Sequence, residues 1–508
     1  MPVIKDEIFV QKALARKKAL RHSKAFPQKI IKIEKDSSSF QGLRAVPTAD
    51  MAFPMILDRG DSLILDFGDH HVGYLHFSIE HLQDRRITDS PVQCRFTFGE
   101  FPLEITTPPE SYSGTLGRGW LQNETKSVVF TPYSGMLERR YSFRYLKIER
   151  MDNASFPIAF TDIYADCVSA VDTAAVKGPL LSDPVLKKIY EMSLKTLKEC
   201  EQDVFEDGPK RDRRLWIGDL RLQALTDYVT FRNVDLIERC IYLFAAYRTD
   251  RGFVPPCVFP DSPPCIDNWY FVDYSLFFIS CLSDYAAYCD NPGLLNELYP
   301  VAAEQIRNVS AAFDSQTASI SGSSHIDWCN GLDKSVAILG VYLYVLRQFS
   351  SLTEFLRKDA GQLQNEIRRA EKALKSYYSE KDGLFRAKSG QLSWHSQIWA
   401  VLSGMLSKEE GIRLLQATEQ KNPEYTIHTP YMMHYYIAAL YQCGLKEKAM
   451  EEIRRFWGAI ADAGFDCCPE IFNPSNHLES PYLAPEINSA CHAWSCTPAY
   501  WIHRYCSE

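Results

Sequence analysis

The chain has 508 residues, 46% hydrophobic and 13% aromatic, with a formal net charge of −8. That length exceeds one typical domain and supplies apolar material for large cores. The acidic balance argues against nucleic acid as a partner. The lack of any run of about 18 apolar residues argues against a membrane span.

The N-terminus, Met1 to Glu7, has no apolar leader core. The 15 cysteines are an odd number, with no CxxC pair. They read as reduced, mostly buried thiols, and with Met1 as the native start this predicts a cytoplasmic location. Residues 1–45 are basic and partly helical and are left unplaced. The clusters Lys12 to Lys24 and Lys29 to Lys35 read as a solvated arm rather than a nucleic-acid site.

From about 60 to 165 the hydrophobic pattern is short and alternating. Ser62 to Gly68 reads as a strand ending at a turn, and Gly73 to Glu80 alternates along two faces. Val92 to Phe98, Ser127 to Phe130 and Tyr145 to Glu149 read the same way. Short alternating runs between turn residues predict an antiparallel β-sandwich over 46–170. The boundary with the next unit falls within 166–181.

Beyond about 180 the period becomes helical. Ser182-Asp183-Pro184 is a helix start, with a capping side chain followed by proline. Val185, Leu186, Ile189, Met192, Thr196 and Leu197 then share one face. Further helical runs fall near 220–231, 234–247, 273–289, 293–314, 334–357, 361–378, 394–406, 429–443, 445–460 and 487–505, roughly eleven helices in all. Chemically rich loops in alternate connections point to an α/α toroid over 171–508 rather than a simple bundle.

The stretch Asp207 to Asp219 carries the most chemistry. Asp207, Asp212 and Asp219 sit among Arg211, Arg213, Trp216 and the breaker pair Gly208-Pro209. Carboxylates, a guanidinium and a flat aromatic on one loop suit carbohydrate cleavage; a solvated charged turn is the bland reading. Asp219 could equally cap the following helix, and Trp216 could be core. Three more loops combine carboxylates or histidine with tryptophan: Asp267 to Tyr270 with Trp269 and Asp273, His325 to Trp328 with Asp327, and Ser393 to Gln397. There is no zinc-ligand spacing, Walker loop or Gly-x-Ser-x-Gly elbow, so no cofactor and no metal are expected.

Taken together, the 207–219 loop, Leu65 to Gly68 with Val72-Gly73-Tyr74, Arg144 to Ile148, and Cys491 to Ser495 resemble the α-L-rhamnosidases of glycoside hydrolase family 78. The resemblance covers roughly residues 60–505. It implies a multidomain, mainly α chain: an N-terminal antiparallel β-sandwich followed by an (α/α)6 barrel. It also implies an inverting exo-hydrolase that releases α-L-rhamnose or a similar sugar from a small carbohydrate substrate. One position departs from the family: Arg213 stands where its general-acid glutamate usually lies. Asp212, one residue earlier, is therefore assigned as general acid. Glu470, in the proline-flanked Cys468 to Pro474 loop, is assigned as general base, ahead of Glu479 and Glu486. An inverting pair predicts carboxyls roughly 6.5–9.5 Å apart. Asp207, Arg211, Trp216, Asp219, Trp269, Asp327, Trp328, His492 and Trp494 are assigned to the sugar, with His492 reaching it from the last helix or else serving as core. Two alternatives remain: a non-catalytic carbohydrate-binding relative, and another toroid enzyme such as a uronyl hydrolase or lyase. The oligomeric state is left open.

Overall fold

The computed structural model describes residues 3–82, 90–154, 156–172, 176 and 178–507. Met1 and part of the expected 166–181 boundary lie outside them.

Between Arg21 and Ser169 the chain builds a ten-stranded sheet system in which all pairings are antiparallel. Its spine is a 20-residue strand, Ser62–His81. The first half of this strand pairs with Tyr141–Arg150 and the second with Ile158–Ser169. Val92–Gly99 and Asn123–Val128 extend the sheet beyond Tyr141–Arg150. The expected turn after Gly68 is therefore corrected. The chain runs on through Gly68 at φ 80°, and the register shifts opposite it between Phe143 and Tyr145. A bulge absorbs the glycine without ending the strand. Alternate residues Leu65, Phe67, Leu75, Phe77 and Ile79 enter a core with Phe96, Phe98 and Phe143.

The N-terminal residues are not a solvated arm. Glu7–Ala15 (α1) is capped by Asp6 and buries Phe9, Val10 and Ala13 against the helical unit. Its basic residues find acidic partners there: Lys12 meets Glu297 and Arg16 meets Glu238. Arg21–Ala25 then pairs with Ala165–Ser169, and Lys29–Lys35 pairs with Leu43–Asp50. Amphipathic spacing and charge complementarity fold the segment back onto both units.

After a short helix in the β-rich unit, Pro102–Thr106 (α2), twelve helices follow among the described residues. They are α3 (Pro184–Cys200), α4 (Ile217–Val229), α5 (Val234–Ala246), α6 (Val272–Tyr288), α7 (Pro292–Ala312), α8 (Ser335–Phe355), α9 (Leu363–Lys375), α10 (Trp394–Leu402), α11 (Lys408–Lys421), α12 (Pro430–Gln442), α13 (Lys446–Asp462) and α14 (Pro498–Ser507). Helices α4, α6, α8, α10 and α12 pack in succession, and α14 packs on α4. Helices α3, α5, α7, α9, α11 and α13 each pack on an even-numbered neighbour. The two sets differ as their sequences require. In α4 every residue from Ile217 to Tyr228 is buried, as for a helix packed on all sides. In α9 the buried residues Leu363, Glu366, Ile367, Ala370, Ala373 and Leu374 form one stripe. Helix α8 is long and apolar enough by composition to cross a membrane, but most of it is buried inside the protein.

Two helix expectations are corrected. Lys408–Lys421 is a helix that the periodicity missed; its polar face leaves only Gly411, Leu414, Leu415 and Thr418 buried. The run 487–505 is α-helical only from Pro498, after a 3-10 turn at Ala493–Ser495. Before it, His492 N donates to Cys468 O (2.8 Å) and Ala493 N to Asp207 O (2.9 Å). These bonds to two other loops replace helical ones. His492 therefore sits in a loop, not on the last helix.

The β-rich unit braces the loops that lead into α4. Arg140 donates to both carboxylate oxygens of Glu206 (2.7 and 2.6 Å) and to Gln202 (2.9 Å). Buried Lys210 reaches Glu104 at 2.8 Å, and Glu100 accepts from the Ala490 amide at 2.6 Å.

Candidate active site

A cavity of about 370 Å³ opens where the loops preceding α4, α6 and α8 meet the 470–494 loops. It is lined by all eleven residues assigned from the sequence: Asp212 and Glu470, then Asp207, Arg211, Trp216, Asp219, Trp269, Asp327, Trp328, His492 and Trp494. The competing carboxylates Glu479 and Glu486 do not line it.

The 207–219 loop reaches the cavity through an unusual turn. Asp212 and Arg213 both take left-handed backbone (φ 56° and 53°), and Arg213 N donates to Arg211 O. Such positions cost about 1–3 kcal/mol each for non-glycine residues unless their surroundings hold them. Here Arg213 does the holding. Its Nε donates to Pro209 O (2.9 Å) and its Nη2 to Arg140 O (2.5 Å). The guanidinium that stands in place of the family's glutamate is thereby turned onto backbone carbonyls. Gly208 is required by close approach. A Cβ there would lie 2.9 Å from Ser489 Oγ and 3.0 Å from His492 Nδ1.

Arg211 organises the acids. Its Nε donates to Ile487 O (3.0 Å), its Nη2 forms a buried ion pair with Glu470 Oε2, and its Nη1 lies 3.9 Å from Asp212 Oδ2. Asp212 is thus beyond hydrogen-bond reach of the arginine that Glu470 fully engages. Tyr482 completes the Glu470 environment: its hydroxyl donates to Oε1 (2.5 Å), and its ring lies 4.3 Å from the Arg211 guanidinium carbon. Burial alone would raise the Glu470 pKa, but Arg211, His492 and the Tyr482 hydroxyl outweigh it and hold this carboxyl below its ordinary value.

The other carboxyls behave differently. Burial, with Asp212 and Asp219 nearby, pushes Asp207 well above the ordinary aspartate value. Its Oδ1 accepts from Arg214 N (3.1 Å). Burial also raises Asp219, despite His492 Nε2 at 3.1 Å. Asp219 occupies the first turn of α4 rather than its cap. Both carboxyls are therefore weaker acids than an ordinary aspartate. Asp327 is fully engaged by His395 Nε2 (2.7 Å), Thr429 Oγ1 (2.5 Å) and Trp328 N (2.9 Å). It fixes the loop that carries Trp328 and has little capacity left for a ligand.

Aromatic walls and unpaired polar atoms complete the site. Trp269 and Trp328 are 36% and 41% exposed at the rim, whereas Trp494 is buried and donates to Glu470 O (3.0 Å). Trp216 stands edge-on to Trp269 and Tyr274. Three buried polar atoms on lining residues lack a hydrogen-bond partner: Trp216 Nε1, His325 Nε2 and His492 Nδ1. A ring of acceptors and donors around an apolar floor can bind a polyol with one hydrophobic face.

Sequence reasoning missed Tyr482 and Tyr274 and made no assignment for His325 or Lys334, all of which line the cavity. His325 carried a signal, since it sits beside Asp327-Trp328 in a loop before a helix. Burial holds it neutral, with a pKa of about 4. Asp273 supports it by accepting from His325 N (3.0 Å) and Ile326 N (2.7 Å). Tyr482 carried none, because its partners Arg211 and Glu470 are far from it or offset in sequence. Asp267 and Ser393 do not line the cavity; Ser393 caps α10.

Two family models match the chain. The glycosyl hydrolase family 78 alpha-rhamnosidase N-terminal domain spans residues 27–167, and the bacterial alpha-L-rhamnosidase 6 hairpin glycosidase domain spans 180–506. Among solved structures, a rhamnosidase from Klebsiella oxytoca with rhamnose bound is 36% identical, with a TM-score of 0.96 over 99% of this chain and 100% of that one. The family 78 rhamnosidase of Bacillus sp. GL1 shares the fold at 20% identity and TM-score 0.72, over 91% of this chain and 49% of that one. The Streptomyces avermitilis α-L-rhamnosidase complexed with L-rhamnose does so at 16% identity and 0.66, over 95% and 43%. A search of the curated proteins returns no match. A β-rich unit joined to a helical unit that carries an acid-lined, tryptophan-walled cleft is that of a glycoside hydrolase. The chain belongs to glycosyl hydrolase family 78, the α-L-rhamnosidases.

Proposed function

We propose that the chain is an inverting exo-hydrolase that releases terminal α-L-rhamnose from oligosaccharides or glycosides. The observation that carries this reading is the convergence of Asp212 and Glu470, 258 positions apart, on one cavity, with Glu470 kept ionised by Arg211 and Tyr482. The rhamnose in the Klebsiella structure adds support at 36% identity. The cavity lies at the small end of the range for ligand sites, which suits one sugar ring.

In this mechanism Glu470 takes a proton from a water attacking the anomeric carbon. As the glycosidic C–O bond breaks, Asp212 gives its proton to the departing oxygen. Glu470 ends protonated and Asp212 ionised, and exchange with solvent restores both. Trp216 Nε1, His325 Nε2 and His492 Nδ1 are the partners for sugar hydroxyls, and Phe271 and Tyr274 offer the methyl group of a deoxy sugar an apolar wall. The leaving group would pass over Trp328 into an adjoining cavity of about 340 Å³ that shares Trp328, Cys329 and Asn330.

Asp207 is a second reading for the proton donor, favoured by its raised pKa. Leaving-group dependence separates the two. Loss of the true acid slows poor leaving groups far more than activated aryl rhamnosides, so Asp212→Asn should show that pattern and Asp207→Asn should not. The substrate itself is tested by hydrolysis of aryl α-L-rhamnoside within a panel of aryl glycosides. Cleavage of another sugar alone would overturn the rhamnose reading.

We also infer an (α/α)6 barrel behind a β-sandwich, divided near residue 170. The alternation of all-round buried and one-sided helices, and the return of α14 to α4, support it. A cytoplasmic location is proposed from the 15 free thiols.

A further inference from the structure

The sequence offers no zinc-ligand spacing, yet the fold gathers a buried thiol–imidazole cluster beside the active site. His70 comes from the long strand Ser62–His81, Cys467 from the loop after α13, and Cys491 from the loop before α14. All three are buried, and their ligand-competent atoms lie within 4.8 Å of one another. Cys200, at the end of α3, places its Sγ 3.9 Å from that of Cys491. A tetrahedral zinc site with Zn–S bonds of about 2.3 Å has sulfurs about 3.8 Å apart.

The histidine is arranged as a ligand. Its Nε2 lies 3.1 Å from Glu100 Oε1 and 3.0 Å from Ser142 Oγ. That leaves Nδ1 as a buried ring nitrogen without a hydrogen-bond partner. A carboxylate on one ring nitrogen, with the other left to coordinate, is the usual support of a metal-bound imidazole. Two thiols with one imidazole form a soft donor set, which selects zinc over oxygen-preferring cations.

We propose that His70, Cys467 and Cys491 form a structural site for a thiophilic divalent cation, zinc. The metal would tie the β-rich unit to the two loops that carry the active site. Cys467 lies three residues before Glu470, and Cys491 immediately precedes His492. Binding releases the thiol protons to solvent as the thiolates coordinate, with no redox change. The ion takes no part in the sugar chemistry.

The test is metal analysis of the full chain, purified with reductant and without chelator, then equilibrated with zinc sulfate and desalted. About one zinc per chain is expected. The C467S/C491S double variant should hold less than about a tenth of that, while Cys506→Ser, at an exposed cysteine, should keep it. Cobalt(II) exchange into the wild-type chain gives a readout independent of variant folding: thiolate-to-cobalt charge-transfer absorption is expected. Three results would overturn the proposal. They are no zinc uptake and no such absorption by the wild-type chain, zinc fully retained in a folded double variant, or a Cys200–Cys491 disulfide in the unreduced protein.

Discussion

Tyr482→Phe isolates the control of Glu470. Phenylalanine keeps the ring beneath Arg211, whose guanidinium carbon lies 4.3 Å from the ring centre, and removes only the hydroxyl that donates to Oε1 at 2.5 Å. A hydrogen bond to a charged group is worth about 1.5–3 kcal/mol. At about 1.4 kcal/mol per unit, losing it raises the carboxyl pKa by about one to two units. Glu470 acts ionised, so the acidic limb of the kcat/KM profile on aryl α-L-rhamnoside should move up in pH by that amount. Well above the limb, the variant should approach wild-type rates. Stability follows the same sign. A carboxyl whose folded pKa is depressed contributes stability that is present above its unfolded pKa and lost as pH falls through the folded one. The variant should therefore be less stable than wild type near neutral pH, with the difference closing in acid. An acidic limb that stays fixed, or moves down, would refute the assignment of Glu470 as a base tuned by Tyr482.

Other outcomes follow from the same geometry. Glu470→Gln and Asp212→Asn should each lower kcat by about 10²–10⁴-fold, as for loss of a general base or acid, and Glu470→Gln should also lower the melting temperature by leaving buried Arg211 without its ion pair; full activity in either removes its role. Gly208→Ala puts a methyl 2.9–3.2 Å from Ser489, His492 and Cys491 and should cost about 1–3 kcal/mol of stability, read by denaturant unfolding, together with weaker substrate binding. His395→Phe leaves buried Asp327 without its 2.7 Å partner and should destabilise the fold by about 1–3 kcal/mol while raising KM through the Trp328 loop.

The residues that line the cavity were more legible in the sequence than the packing of the N-terminal segment. Asp207, Arg211, Asp212, Trp216 and Asp219 stood out because charge and an aromatic crowd against a Gly-Pro break, and the resemblance set them apart from a solvated turn. Glu470 was readable only by resemblance, since a loop glutamate looks the same whether solvated or buried. What stayed hidden depends on distance and backbone shape. The left-handed turn at Asp212 and Arg213 sends Arg213 to the Arg140 carbonyl, a partner 73 positions away in the β-rich unit. No local pattern encodes that choice. Tyr482 was missed because its value lies in contact with Arg211, and the docking of the partly helical N-terminal segment because its acidic partners, Glu238 and Glu297, lie more than 200 residues on.

The most direct measurement is proton NMR of the sugar as it is released from an aryl α-L-rhamnoside. A water on the far face, deprotonated by Glu470 while Asp212 protonates the leaving oxygen, must invert the anomeric centre. The β-anomer should appear first and then equilibrate. First appearance of the α-anomer would mean a covalent intermediate and would contradict the two-carboxyl, water-bridged account.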